Sequence, residues 1–383
     1  MPEGTVLKTE EFVEALALVK PALARRAFIP IHTKFKFGDG RVEAFNEVIG
    51  ASALCPCGIS GCVDGALMFD LVSSVKRSKV RITESDGSIL VKGGKSRFEL
   101  PIEDDSSAFN VRDAIVDPYA EIKVTEEVLQ AISLCAISAS SDTSTPQFMG
   151  ITIIGDGESL KIYSTDFSSF SRASVNVDEH KEFRITVPID FFSTMLSVAQ
   201  KFGEDEDGVY GTLCISDISV DDPQNRDVIW FEIEDVEYFL YARTLSIKQP
   251  PNYEAVFRQH MNSLPKPVKI PKGLGGALDR VLILNRSLGF DRTLSELSVE
   301  DGVLKITAES GDNHVKDSFD LRDPDHPDVS VKIHPLLVNR VFDNCSEFCV
   351  GEKAILFRNS VDFIHFIATH VDTTGGEDED DDS

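Results

Sequence analysis

Hydrophobic and polar positions follow the same order three times along the chain. Each copy begins with a segment of helical periodicity, at 8–13, 124–129 and 270–281. A glycine turn and an alternating strand follow, at 39–45, 157–163 and 301–307, and a second short amphipathic segment comes after them, at 66–75, 190–199 and 334–342. The copies lie roughly 120 to 145 residues apart, which is far longer than the period of a solenoid repeat. The pattern therefore predicts repeated domains.

Between the helical segments the chain has the alternation of short β-strands. In the first copy it predicts strands at 34–37, 41–45, 79–83, 89–92 and 97–100. Two helices of each copy would pack on one face of an antiparallel sheet, so we predict an α+β fold of three similar domains. Prolines and a loss of periodicity near 114–120 and 264–267 mark the borders. The predicted domains are 1–117, 118–264 and 265–372, followed by a tail at 373–383.

The acidic composition bears on the expected partners. The 383 residues include 42% hydrophobic residues and carry a formal net charge of −26, which opposes binding to phosphates over most of the surface. Cations nevertheless cluster after the first two helical segments, at Lys20, Arg25, Arg26, Lys76, Arg77, Lys79 and Arg81. The third copy adds Lys272, Arg280, Arg286 and Arg292, whereas 125–139 contains no Lys or Arg. A basic lining built from these residues would be uneven.

The search for targeting segments and the number of cysteines both bear on the expected cellular compartment. No cleavable signal sequence opens the chain, and no apolar run approaches the length of a membrane-spanning helix. Seven cysteines, an odd number, do not form a disulfide framework in a chain of this length. We therefore expect a cytoplasmic protein with reduced thiols and no membrane partner. The tail has no apolar residue and many like charges, so we predict that it is disordered and solvated.

Candidate catalytic and metal motifs are weak. Cys55, Cys57 and Cys62 place three thiolates within eight positions, but zinc requires a fourth ligand, and no histidine lies nearby in sequence. We favour structural cysteines over a metal-dependent site. The segment 94–96 resembles the end of a phosphate-binding loop but lacks the earlier glycine, and the acidic run 204–207 is best explained as a solvated loop. No motif requires an enzyme or a cofactor.

Particular stretches of all three copies resemble the bacterial DNA sliding clamp, the β subunit of DNA polymerase III. In the first copy these are 23–31, which ends in Phe-Ile-Pro-Ile after two arginines, and the strand 95–100. In the second copy, 163–166 and 250–256 are similar to the family's Ala-Thr-Asp and Phe-Pro-Asp-Tyr motifs. In the third copy, 301–308 closely follows a strand of the family. The resemblance extends over nearly the whole chain, to about residue 371.

The resemblance implies a processivity factor without catalytic activity. Two three-domain chains would join head to tail as a homodimeric ring, with helices lining a central hole. Duplex DNA would pass through the hole without sequence readout, and enclosure rather than affinity would hold it. The implied partners are duplex DNA, a DNA polymerase, the clamp loader and a second copy of the chain, in the cytoplasm and associated with the nucleoid. The alternative is a scaffold protein that keeps the clamp fold but no longer encircles DNA.

Two sets of site residues follow from the resemblance. The DNA-binding set is Arg25, Arg26, Lys76, Arg77, Lys79 and Arg280. The second set would form a hydrophobic peptide-binding pocket for polymerase and loader: Phe148, Thr165, Asp166, Phe167, Pro251, Ala255, Val256, Thr369 and His370. The simpler interpretations are a solvated helix end for Arg26 and ordinary core positions for Phe148, Pro251 and Val256.

The chain departs from the family at several of these positions. Phe167 begins a stretch, 167–170, that replaces the family's Gly-His-Arg-Leu, and Ala255 stands where an arginine is usual. The family's C-terminal Met-Pro-Met-Arg-Leu is Ala-Thr-His-Val at 368–371, and the loop 142–145 lacks the expected aromatic and basic residues. We therefore expect altered partner motifs and few DNA contacts from the second domain. Such divergence suits a clamp encoded by a phage or plasmid, which would act in the host cytoplasm.

Overall fold

The protein is described from a computed structural model. The description covers residues 4–26, 28–85, 87–103, 111–114, 117–140, 142, 144–145, 148–216, 228–245, 247, 251–286, 294–321, 323, 326–359 and 362–370. The predicted acidic tail, the polar segment 217–227, Thr143 and Arg292 lie outside these residues.

Seven helices occur in this described part of the chain. They are α1 (Thr9–Val19), α2 (Gly65–Ser73), α3 (Glu126–Ala136), α4 (Ile189–Phe202), α5 (Tyr253–Ser263), α6 (Leu274–Arg286) and α7 (Pro335–Phe342). All six predicted helical segments are confirmed, as the pairs α1 and α2, α3 and α4, and α6 and α7. Helix α5 was not predicted. It begins after Asn252, whose side chain accepts a hydrogen bond from the backbone N–H of Ala255 and so satisfies one of the free donors of the first turn.

The strands carry the alternation that the sequence predicts. In the first half they are β1 (Thr5–Lys8), β2 (Lys34–Gly38), β3 (Arg41–Phe45), β4 (Ile49–Leu54), β5 (Gly61–Asp64), β6 (Lys79–Ser85), β7 (Ser88–Gly93), β8 (Ser96–Pro101), β9 (Pro118–Lys123), β10 (Ile151–Gly155), β11 (Ser159–Thr165) and β12 (Ser169–Asn176). In the second half they are β13 (Phe183–Val187), β14 (Thr212–Ser216), β15 (Val228–Ile233), β16 (Tyr238–Arg243), β17 (Val268–Lys269), β18 (Ser295–Glu300), β19 (Val303–Ser310), β20 (Asn313–Asp320), β21 (Val329–Ile333), β22 (Glu347–Val350), β23 (Ala354–Arg358) and β24 (Phe363–Ala368). The five strands predicted in the first copy are β2, β3, β6, β7 and β8.

The chain divides into two compact units. Unit 1 comprises Met1–Gln130, Thr152–Leu160 and Asn176–Ser246, and unit 2 comprises Ala131–Ile151, Lys161–Val175 and Ile247–Ser383. This division differs in kind from the three predicted domains, because it follows compactness rather than sequence similarity. The three domain borders therefore stay a prediction.

Unit 1 contains an antiparallel sheet that continues from the first repeat into the second. Its strand order is β5-β2-β3-β4-β16-β15-β14-β9, and the junction is the pairing of β4 with β16, where Ser52 lies opposite Phe239. Arg41 strengthens the junction, because its buried guanidinium donates to the Ser52 hydroxyl and pairs with Glu237. A separate sheet has the order β1-β6-β7-β8.

Unit 2 repeats this design. Strand β12 pairs with β24, and the sheet continues through β23 and β22 to β17. A four-stranded sheet, β20-β19-β18-β21, packs against α6, which buries Leu274, Leu278 and Val281. None of the helices in the described ranges has the length and run of apolar residues that a membrane-spanning helix needs.

Candidate functional site

An apolar cleft opens in unit 2 where three elements meet. The hairpin between β11 and β12 forms one side, the start of α5 forms a second, and β23 with β24 forms the base. The cleft has a volume of about 140 Å³. Its lining residues are Phe148, Thr165, Phe167, Ser168, Ser169, Phe170, Pro251, Tyr253, Val256, His260, Ala354, Phe366 and Ala368. Aromatic rings and small side chains dominate this list, so the cleft suits apolar side chains of a ligand.

The hairpin presents an aromatic residue in an unusual backbone conformation. Phe167 has φ of +70°, in the left-handed region, and 62% of its side chain is exposed. Its ring centroid lies 4.0 Å from that of Phe148, at an interplanar angle of 58°. The carboxylate of Asp166 accepts hydrogen bonds from the backbone N–H groups of Ser168 and Ser169, which closes the turn. The turn therefore holds the Phe167 ring at the rim of the cleft.

A polar cluster fixes α5 beside the cleft. The ring of Tyr163 stacks on that of Tyr253 at 5.1 Å, and its hydroxyl donates to the Glu254 carboxylate. Burial, and then this hydrogen bond, raise the pKa of Tyr163. The Arg172 guanidinium lies 3.7 Å from the same carboxylate and 4.6 Å from the centroid of the Phe257 ring. These contacts join the first turn of α5 to β11 and β12, and so position the cleft wall.

A row of hydroxyl groups runs inward from the hairpin side of the cleft. Ser169 donates to Ser138 over 3.0 Å, Ser138 contacts Ser171 at 2.8 Å, and Ser171 lies 2.8 Å from Nδ1 of His365. Burial lowers the pKa of His365 to about 3, so its ring is neutral at physiological pH. Burial also lowers the pKa of His260 in the cleft wall. Both shifts favour the neutral form of the imidazole ring.

The structure brings together five of the nine predicted pocket residues: Phe148, Thr165, Phe167, Pro251 and Val256. The other four do not line the cleft. Asp166 shapes the turn, and Ala255 is exposed on α5. The Thr369 hydroxyl donates to the Glu352 carbonyl, and His370 bonds to the backbone of Lys332. Sequence reasoning missed the base of the cleft, Ala354, Phe366 and Ala368, because strand pairing rather than any local motif brings these residues to it.

The predicted DNA-binding residues differ in whether their charges are free. In unit 1, five are exposed and form no ion pair with any other described residue: Arg25, Arg26, Lys76, Arg77 and Lys79. In unit 2, Arg280 binds Asp317 through two hydrogen bonds, of 3.1 Å from Nε and 2.8 Å from Nη2. The Arg280 charge is therefore already engaged.

The helices of the first two copies are acidic. Together α1, α2, α3 and α4 carry seven carboxylates and one lysine, Lys201, which itself pairs with Glu14 at 2.7 Å. Four of the five free cations of unit 1 lie instead on the connections that follow α1 and α2, and Lys79 is the first residue of β6. An interface with phosphates would therefore be formed by loops rather than by helix faces.

The three neighbouring cysteines are buried. Cys55 follows β4, Cys57 follows two residues later, and Cys62 lies on β5. A hydrogen bond with Cys57 and burial raise the pKa of Cys55. Among the residues that the structure describes, no group of three or more His, Cys, Asp or Glu side chains is placed to hold a metal ion.

Comparison with solved structures identifies the fold. The DNA polymerase III β subunit from Thermotoga maritima matches with a TM-score of 0.79 at 13% identity, covering 96% of this chain and 99% of that one. The β chain from Streptococcus pneumoniae matches with a TM-score of 0.77 at 17% identity, covering 97% and 100%. A sliding clamp from Pseudomonas aeruginosa bound to griselimycin gives 0.76 at 15% identity, covering 97% and 100%. No family model and no curated protein sequence matches the chain. The predicted α+β clamp fold is therefore confirmed.

Proposed function

We propose that this protein is a non-catalytic DNA polymerase processivity factor. Two chains would join head to tail as a ring that encircles duplex DNA without sequence specificity and tethers a polymerase. The observation that carries the proposal is the clamp fold itself, which matches β subunits over 96–97% of this chain and 99–100% of theirs. Retention by enclosure needs little affinity, so a net charge of −26 is compatible with the role.

The cleft in unit 2 is the proposed docking site for polymerase and clamp loader. It is apolar, about 140 Å³ in volume, and bordered by exposed Phe167 and Val256. A buried aromatic or aliphatic side chain in a pocket of this kind provides most of the binding energy of a peptide motif. The proposed role places the protein with DNA in the cytoplasm.

A second candidate function is favoured by the charges on the helices. Seven carboxylates on α1–α4 oppose the approach of DNA phosphates, as expected of a clamp-fold scaffold that no longer encircles DNA. The cleft would then serve partners alone. The two functions differ in one measurable property, which is topological retention on DNA.

A trapping experiment that needs no loader separates the two functions. The protein is incubated with linear duplex DNA that carries biotin at both ends, and streptavidin is added before or after the protein. A ring threads onto free ends, so we expect retention at high salt only when the ends are blocked afterwards, and release when the DNA is cut. Light scattering should give about twice the chain mass of 42.2 kDa. Equal retention in both orders of addition, or none in either, would contradict encirclement and favour the scaffold.

A further inference from the structure

The loop after α1 is tied at its base and projects from unit 1. The backbone N–H of Ala24 donates to the carbonyl of His32 over 2.8 Å, and that of His32 donates to Ile29 over 3.1 Å. The His32 ring is buried, packs edge-on against Phe45 at 5.4 Å and lies 3.0 Å from the Glu47 carboxylate. We call residues 24–32 the tied loop; it is described apart from residue 27.

The tied loop exposes a large apolar side chain that has no role in the core. Phe28 has a relative accessible area of 106%, as large as in an extended peptide, and the neighbouring Ile29 is 50% exposed. No other large hydrophobic residue in the described ranges is as exposed, the next being Ile283 at 66%. Exposing a whole phenylalanine ring forgoes the free energy of its burial, so a loop that does so is a candidate binding surface.

The charges around Phe28 indicate the class of partner. Arg25 and Arg26 lie three and two residues before it, both exposed and without an ion pair in the part of the chain described. The Glu47 carboxylate also contacts the tied loop, and its partner there is His32. An aromatic ring within three residues of two unpaired guanidinium groups is a combination that binds single-stranded nucleic acid, because the cations attract phosphates and the ring stacks on a base.

We propose that the tied loop binds unpaired DNA, with Phe28 stacked on a base and Arg25 and Arg26 on the flanking phosphates. A duplex interior offers no free base face, so the loop would prefer a single strand or the single-stranded side of a primer-template junction. The inference rests on the proposed function, because it adds a position along DNA to a ring that otherwise slides without preference. Contacts with duplex DNA would require only the two arginines, whereas binding an unpaired base also gives Phe28 a role.

The test compares variants of the full chain by fluorescence anisotropy at low salt. The probes are a single strand of about 16 thymidines, a blunt duplex and a primed template. We expect Phe28→Ala to weaken binding to the single strand and the primed template by about tenfold, with duplex affinity unchanged. Phe28→Leu, which keeps apolar surface but no ring, should lose as much as Phe28→Ala. Phe28→Trp should bind like the parent chain, and because the native Trp230 is buried, quenching of the new exposed tryptophan would report stacking directly.

The outcomes distinguish the inference from the proposed function. Unchanged single-strand binding by Phe28→Ala, or an unquenched Phe28→Trp, would overturn the inference even if the parent chain is trapped on end-blocked duplex. Loss of binding to a polymerase by Phe28→Ala without loss of single-strand binding would also overturn it, since Phe28 would then be a protein contact. Leu67→Ala, which removes another exposed apolar side chain from α2, is the matched control and should leave all three affinities unchanged.

Discussion

Two substitutions of Phe167 test its left-handed backbone conformation through the sign of the difference in their stability. Five non-glycine residues in the described chain have positive φ, and the other four are Asp or Glu, so Phe167 is the one with a bulky apolar side chain. A Cβ atom in the left-handed region costs about 1–2 kcal/mol. Phe167→Ala and Phe167→Gly both remove the ring contact with Phe148, but only glycine also removes the Cβ strain. Glycine loses about 0.5–1 kcal/mol more chain entropy on folding, so the net advantage of glycine over alanine is about 0.75 kcal/mol.

The assay is differential scanning calorimetry of the two variants. An advantage of about 0.75 kcal/mol corresponds to a melting temperature that is about 1.5–3 °C higher for Phe167→Gly in a cooperative unit of 150–250 residues. Ser168, the next residue, does not have positive φ, and its pair of variants is the internal control. There alanine should be the more stable of the two. If Phe167→Gly melts at or below Phe167→Ala, the residue does not hold a left-handed conformation and the account of the rim is wrong.

Three further predictions concern the pocket, the DNA contacts and pH. Val256→Glu should weaken binding of the polymerase encoded by the same genome at least about tenfold by surface plasmon resonance, whereas Ala255→Glu, one residue away but outside the cleft, should not. Arg26→Gln should lower the slope of log affinity for duplex DNA against log salt by about 1, whereas Arg280→Gln should leave it unchanged, because Arg280 already binds Asp317. Burial keeps His365 neutral in the folded state while the unfolded chain protonates it near pH 6.5, so stability is lost as pH falls from 6.5 towards 3. Between these pH values, the free energy of unfolding measured by urea denaturation should fall by about 1.4 kcal/mol per pH unit more for the parent chain than for His365→Gln. Parallel curves for the two chains would contradict the buried neutral ring.

The regular elements could be predicted because their periodicity reports burial. All three pairs of helices and the strands of the first copy follow from positions that recur with a period near 3.6 or 2. Helix α5 was not predicted although Tyr253, Val256 and Phe257 recur at helical spacing, because only Tyr253 is buried and the other residues of the helix are mostly polar. The sequence marks the start of this helix by Asn252, a residue type that caps helix N-termini, which follows two prolines.

The residues of the candidate site could be predicted only where a local sequence motif marks them. The resemblance marked Phe167 as a replacement for a glycine, and the positive φ at that position gives the physical reason why glycine is usual there. The pairing of Arg280 with Asp317 joins residues 37 positions apart on α6 and β20, so no local pattern could report it. Ala354 and Phe366 likewise reach the cleft through strand pairing.

The junction between β4 and β16 has a consequence for synthesis on the ribosome. Ile49 pairs with Ala242, so the edge of β4 has no partner until nearly two hundred more residues have been made. At 5–20 residues per second the nascent first repeat waits roughly 10–40 s with this edge open. An open edge invites pairing with other chains, and strands of Val, Ile and aromatic residues are the most prone to it. Strand β4, Ile-Gly-Ala-Ser-Ala-Leu, consists mostly of small residues, which makes it a poor template for aggregation during that wait.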